Sequence, residues 1–230
     1  MEAVRIGKFE VGLTKGLLAT SVFGHDSRDI ISKFDSGHYD KDSLFEIRYD
    51  MFDVIDRNDL VNLLKNLAKR DVGYIFTFRS NDHARVKELY RIAMDIEAPA
   101  VDIDYGAYSS LRPYITGTST ILSYHSYSVE PLNRILTKLR RRECDVYKVA
   151  IKYNDASEFF KDVSRMIRFR SISDKPLSFI PMGSMNSFLR VISAIYVSDL
   201  NYAMDETATA EGQISVSDFK KLYAAASRLG

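Results

Sequence analysis

Leu44-Phe45-Glu46-Ile47-Arg48-Tyr49-Asp50 is the stretch that decides the fold. Phe45, Ile47 and Tyr49 alternate with Glu46, Arg48 and Asp50. Successive side chains of a strand point to opposite faces, so this segment has one apolar face and one charged face. The alternation recurs: Tyr74, Phe76 and Phe78 with Thr77 and Arg79, Val101 and Ile103 with Asp102 and Asp104, and Leu122 and Tyr124 with Ser123 and His125. Tyr147, Val149 and Ile151 alternate with Lys148, and Ala19 and Ser21 mark a first strand near the start. Such strands either leave one sheet face in water or line an enclosed site. The segments between them choose.

Those segments have helical periodicity. Leu60, Leu63, Leu64 and Leu67 share one face, as do Val86, Leu89, Tyr90 and Ala93, then Phe159, Phe160, Val163 and Ile167, and finally Phe219, Leu222, Tyr223 and Ala226 in a helix ending at Gly230. Helices between strands make the strands parallel and cover their apolar outer faces, which turns the polar faces inward. Strands starting near Leu17, Leu44, Gly73, Ala100, Thr120, Asp145, Leu177 and Leu200 recur at a spacing of roughly 25 to 30 residues, typical of βα units. The pattern predicts an α/β protein, a single-domain (β/α)8 TIM barrel over residues 1–230, with the link from Asp104 to Ser119 as its shortest unit. Gly7-Lys8 between Val4-Ile6 and Phe9-Val11 suits a two-residue hairpin turn, and residues 1–14 are expected to plug the barrel bottom.

Charge narrows the function. With 32 basic and 31 acidic side chains, no global field favours nucleic acid or an anionic membrane, and anion specificity has to be local. The run Lys138-Leu139-Arg140-Arg141-Arg142 falls at a helix end, where cations suit the dipole. No apolar stretch approaches the roughly 20 residues that span a bilayer, and no signal peptide is apparent, so a cytoplasmic protein is expected. The single cysteine, Cys144, allows no internal disulfide or thiolate metal cluster and reads as a small buried hydrophobe. No two histidines have the zincin spacing, so no metal is expected.

Lys148 shares its face with Val146 and Ala150, which aims its amine into the barrel. Desolvation and the cations Arg48 and Arg79 favour an unprotonated amine there, able to condense with a ketone or aldehyde as a Schiff base. The alternative is a structural ion network with Glu46, Asp102 or Asp104. His125 ends the preceding strand and is placed to act as general base on the carbon beside an imine.

In this setting the chain resembles the type I 3-dehydroquinate dehydratases. Glu46-Ile47-Arg48-Tyr49-Asp50 resembles the family's E-x-R-x-D, Phe76-Thr77-Phe78-Arg79-Ser80 its T-x-R-S, Ser123-Tyr124-His125 its histidine strand and Asp145-Val146-Tyr147-Lys148-Val149-Ala150 its lysine strand. Pro181-Met182-Gly183 leads to Arg190, and Thr209-Ala210-Glu211-Gly212-Gln213-Ile214 is similar to the S-A-P-G-Q-I loop. The resemblance implies a cofactor-independent hydro-lyase of the shikimate pathway that converts 3-dehydroquinate to 3-dehydroshikimate, with a homodimer as its expected assembly. It implies an imine at Lys148, proton transfer by His125, and ring-hydroxyl contacts from Glu46, Arg48 and Arg79, with Ser21 also at the substrate. It implies that Arg190 holds the carboxylate, helped by Thr209 and Gln213, under a closing loop around Gly212.

Two positions depart from the family. The glutamate expected after T-x-R-S to orient the histidine is absent, the chain running Asn81-Asp82-His83-Ala84 instead. By count from Arg79, His83 takes the glutamate's place and is expected to orient His125, with Asp82, Asp102 and Asp104 as alternatives. Glu211 replaces the loop proline. The competing functions are another Schiff-base barrel, of aldolase or transaldolase type with a phosphate site around Pro181-Met182-Gly183-Ser184 and Arg190, or a barrel that binds a polyhydroxylated acid without turning it over.

Overall fold

The computed structural model describes residues 2–13, 16–128, 130–183 and 187–228. An antiparallel pair, β1 (Val4–Ile6) and β2 (Phe9–Val11), turns at Gly7, whose φ of 58° lies in the left-handed region. Ile6 and Val11 are fully buried against Ala19, Leu44, Ile75, Ala100, Ile121, Val146 and Leu200, so the hairpin sits on the barrel floor. Gly73 lets it approach: a Cβ there would fall 2.6 Å from the Phe9 ring. Thr14, within the expected plug, lies outside the described residues.

The barrel follows as β3 (Leu17–Val22), β4 (Leu44–Arg48), β5 (Tyr74–Thr77), β6 (Ala100–Asp104), β7 (Ser119–Ser126), β8 (Val146–Lys152), β9 (Leu177–Met182) and β10 (Leu200–Met204). All pair in parallel in the order β10-β3-β4-β5-β6-β7-β8-β9. Across the β9–β10 seam, side chains take part in closure. Leu177 N donates to the buried Asp199 carboxylate at 2.9 Å, Phe179 N donates to Ser198 Oγ at 2.8 Å, and Asp199 N donates to Leu177 O at 2.7 Å.

The outer layer is α1 (Ser27–Asp35), α2 (Arg57–Lys69), α3 (His83–Asp95), α4 (Tyr108–Leu111), α5 (Leu132–Arg140), α6 (Ala156–Ile172), α7 (Ser187–Tyr196) and α8 (Val216–Ser227). Aspartate caps set several starts: Asp56 accepts from Asn58 N and Asp59 N, and Asp82 accepts from Arg85 N. In α2 and α3 the expected stripes are buried. In α6 they are buried only in part. Phe159 and Val163 face the core with Met166 and Phe169, whereas Phe160 and Ile167 are 48 % and 42 % exposed. At about 100° per residue those two lie past the edge of the buried arc. In α8 only Phe219 is fully inside, and Leu222 is exposed. Gly230 lies outside the described residues.

Candidate active site

The inner barrel face is built in steps of two residues. Above the apolar floor come Ser21, Glu46, Thr77, Asp102, Ser123, Lys148 and Tyr202, all buried. Two residues further along their strands come Arg48, Arg79, Asp104, His125 and Ala150. Period-two alternation on parallel strands therefore stacks a charged layer on an apolar one and opens it at the strands' carboxyl ends. A cavity of about 190 Å³ lies there, lined by Glu46, Arg48, Arg79, His125, Lys148 and Arg190 together with Tyr202, Thr209 and Gln213.

Lys148 stands at the centre. Its Nζ is 2.5 Å from Asp102 Oδ2 and 3.3 Å from Glu46 Oε1, and lies 3.6 Å from the centroid of the Tyr202 ring. Glu46 also accepts from Thr77 Oγ1 at 3.2 Å and from Ser21 Oγ at 2.6 Å. The immediate charged neighbours of the amine are thus carboxylates. Arg48, expected to act on the amine as a cation, is held as a fork by Asp50 at 3.0 and 2.7 Å, and Arg79 Nη2 approaches Asp102 Oδ2 at 3.6 Å. Burial by itself would raise the pKa of Glu46 and of Asp102, but Lys148 and nearby arginines outweigh it and hold both carboxyls below their usual range.

His125 follows a different balance. Burial, then the Arg79 and Lys148 charges, lower its pKa, while the hydrogen bond to Asp104 opposes them. The net direction is downward, which leaves a neutral imidazole near pH 7. Its Nδ1 lies 3.2 Å from Asp104 Oδ2, and Asp104 Oδ1 is held by Gly106 N at 2.9 Å. The expectation that His83 orients His125 is therefore corrected. Because Asp82 caps α3, His83 becomes the first residue of the helix and is exposed at the outer rim. Asp104 from β6 occupies the imidazole's second nitrogen.

The segment after β10 covers the cavity. Gln213 Nε2 donates to Ser21 Oγ at 3.0 Å and its Oε1 accepts from Thr209 N and Oγ1 at 2.7 and 3.0 Å. Arg48 Nη1 donates to Thr209 O at 2.9 Å, and Arg190 Nη2 donates to Glu211 O at 3.1 Å. Gly212 has φ +73°, and a Cβ there would strike the Gly183 carbonyl, so the loop lies directly on the end of β9. Glu211 does not bring a bare charge to the site, since Lys152 Nζ pairs with its carboxylate at 2.8 Å. Among the described residues Arg190 has no ion pair: it is 5 % exposed, and its Nε has no hydrogen-bond partner there. Burial, opposed by Glu46, pushes its pKa down to about 10, so it remains a cation at neutral pH.

Tyr202 and Asp50 were not among the residues expected at the site. Tyr202 alternates with Leu200 and Met204 as the other inward residues do, but that strand carries no charge to draw attention to it. Ser184, part of the phosphate loop of the aldolase alternative, lies outside the described residues. A group that could hold a metal, His38 with Asp205 and Glu206, lies on the outer rim with donor atoms within 4.8 Å of one another.

Comparison with known proteins agrees with this architecture. A family model described as type I 3-dehydroquinase matches residues 18–229. The 3-dehydroquinate dehydratase of Thermoplasma volcanium is 34% identical over 227 residues, covering 99% of this chain and 96% of the relative. That of Thermoplasma acidophilum is 34% identical over 212 residues, with 92% and 91% covered. Among solved structures, 3-dehydroquinate dehydratase from Geobacillus kaustophilus superposes with a TM-score of 0.83 at 18% identity, covering 99% of this chain and 97% of that one. The type I enzyme of Clostridium difficile, solved with covalently modified comenic acid, also gives 0.83, at 17% identity with 100% and 99% covered.

Proposed function

This chain belongs to the type I 3-dehydroquinase family, and from that premise we propose that it dehydrates 3-dehydroquinate to 3-dehydroshikimate through an imine on Lys148. The observation that carries the reading is the buried lysine at the centre of a cavity whose wall also holds a buried imidazole, His125, and a buried guanidinium, Arg190, that has no ion pair among the described residues.

Each residue then has a task. The Lys148 ammonium passes a proton to His125, and the free amine adds to the ring ketone. His125 returns that proton to the carbinolamine oxygen, which leaves as water and gives an iminium with the same charge as the ammonium it replaces, so Asp102 and Glu46 balance both species. His125 next removes a proton from the carbon beside the iminium, whose nitrogen takes up the electron pair as an enamine. The enamine pushes out the hydroxyl on the following carbon, and protonated His125 supplies the proton with which it leaves as water. Hydrolysis of the conjugated iminium releases product and restores Lys148. Asp104 keeps Nδ1 of His125 occupied, leaving Nε2 to move protons, and stabilises the imidazolium formed in between. Arg190 binds the substrate carboxylate, and Glu46 and Arg79 contact the ring hydroxyls, with Thr209, Gln213 and Ser21 holding the cover in place.

Borohydride reduction in the presence of 3-dehydroquinate tests the assignment. The enzyme should lose activity irreversibly and the peptide containing Lys148 should gain the mass of the reduced ligand. An adduct on Lys152 would sink the mechanism, as would full activity with no adduct.

A further inference from the structure

The eighth barrel strand, β10, contributes a group to which the mechanism above gives no task. Tyr202 is 4 % exposed and its ring lies against the Lys148 ammonium, 3.6 Å from centroid to Nζ. Its hydroxyl is buried and has no hydrogen-bond partner among the described residues. Buried polar groups are ordinarily satisfied, and one left open calls for an explanation. A phenylalanine would present the same aromatic face to the cation without an orphaned hydroxyl. The hydroxyl is therefore the part of this side chain that needs a function.

We propose that Tyr202 Oη donates a hydrogen bond to the oxygen of the substrate ketone while Lys148 adds to its carbon, and to the same oxygen while it departs as water. The proposal rests on the reading of Lys148 as the imine-forming residue. Geometry carries it: Tyr202 lines the same cavity as Lys148 and His125, its ring lies against Nζ, and its buried hydroxyl has no protein partner among the described residues, so a ketone condensing with Nζ forms its new bond beside a side chain with an uncommitted donor.

The step balances without any other reactant. The ammonium proton passes to His125, and the neutral amine forms the N–C bond while the carbonyl π pair moves onto oxygen, where the phenol stabilises it. A proton then passes from nitrogen to that oxygen, giving the carbinolamine. The nitrogen lone pair expels the oxygen, which takes the proton held by His125 and leaves as water. Tyrosine keeps its own proton throughout. Burial first, then the Asp102 and Glu46 charges, raise the phenol's pKa well above its ordinary value, which suits a donor and not a base.

Tyr202→Phe in the full chain is the test, with 3-dehydroquinate as ligand. The ring remains under the ammonium and the orphaned hydroxyl disappears, so the melting temperature should hold or rise. In contrast, kcat/KM and the single-turnover rate of borohydride-trappable adduct formation should each fall about tenfold, equivalent to about 1.4 kcal/mol of lost transition-state stabilisation. Imine formation should then limit the reaction, and the deuterium isotope effect on kcat/KM for substrate labelled at the carbon that loses its proton should shrink. A wild-type rate of adduct formation would overturn the proposal, and so would a slower reaction with an undiminished isotope effect. Lys148→Met separates the underlying reading: if it still forms an adduct, the lysine assignment fails whatever Tyr202 does.

Discussion

Replacing Asp104 with asparagine should slow turnover, whereas replacing His83 with alanine should leave it unchanged. The Asp104 carboxylate reaches Nδ1 of His125 at 3.2 Å. A hydrogen bond involving a charged group contributes roughly 1.5 to 3 kcal/mol. The Asp104 side chain is 43% exposed, so solvent screening reduces this to about 1 kcal/mol, or a rate loss of about five- to tenfold. The sign on the pH axis follows from the charges around the ring. Burial, Arg79 and Lys148 lower the pKa of His125, while Asp104 and Asp102 raise it. Removing the Asp104 charge shifts His125 further down, so the acidic limb of kcat/KM, which reports the imidazole becoming protonated, should move to lower pH as the plateau falls. Steady-state rates from the ultraviolet absorbance of the conjugated enone product, measured from pH 4 to pH 9 for both variants, decide the matter. A wild-type profile for Asp104→Asn, or a reduced rate for His83→Ala, would refute the reasoning and return the orienting role to the rim.

Other consequences are equally direct. Arg190→Ala removes a buried cation from the proposed carboxylate site and should lower kcat/KM at least tenfold, since a charge-assisted pair is worth roughly 1.5 to 3 kcal/mol; unchanged kinetics in a folded variant would put the carboxylate elsewhere. Gly212→Ala meets the Gly183 carbonyl at a positive φ and should displace the cover, raising KM for 3-dehydroquinate with little change in melting temperature; a wild-type KM would show that the cover is not needed for binding. Leu63→Ala in the buried stripe of α2 should destabilise by about 2 to 5 kcal/mol in chemical denaturation. His125, Asp102, Asp104 and Glu46 all have folded pKa values below their ordinary ones. Their stabilisation is therefore present above the unfolded values, about 6.5 for histidine and about 4 for carboxylates, and is lost as pH falls through the folded ones. Melting temperature should decline from about pH 6.5 downward, most steeply below about pH 4; a flat profile would contradict these directions.

Much of the barrel is legible from alternation alone, because a strand with a charged inner face must line something. Glu46, Arg48, Asp102, His125 and Lys148 fall on inward positions for that reason. What period two does not carry is the relation between strands. The ladder sets Asp104 of β6 opposite Ser123 of β7, and His125 two residues beyond reaches back diagonally to it. Counting residues along one strand cannot reveal such a diagonal. His83 was misplaced by the same counting, which treated Asn81-Asp82-His83 as continuing the strand's approach to the site, although Asp82 already starts a helix. Helix faces drifted similarly: Phe160 and Ile167 lie near enough to the buried arc of α6 to be grouped with it by spacing, and far enough around to end in solvent.

The charge balance of the cavity indicates what kind of ligand completes it. Arg48 is matched by Asp50, Arg79 by Asp102, and Lys148 by Glu46 together with its share of Asp102. Lys152 matches Glu211 at the cover. Asp104 lies against the His125 imidazole, and Arg190, a buried cation with no ion pair among the described residues, feels the Glu46 charge and donates to a loop carbonyl. An isolated buried charge is costly, and a ligand bearing one carboxylate removes that cost while supplying the planar acceptor that a guanidinium fork fits. The proposed imine would not disturb the balance, because an ammonium would be exchanged for an iminium of equal charge. Under the proposed mechanism the same two carboxylates would serve the resting enzyme and the covalent intermediate, and the proposed role of Arg190 would favour a monoanionic ketone over a neutral one at the binding step, before any bond is made.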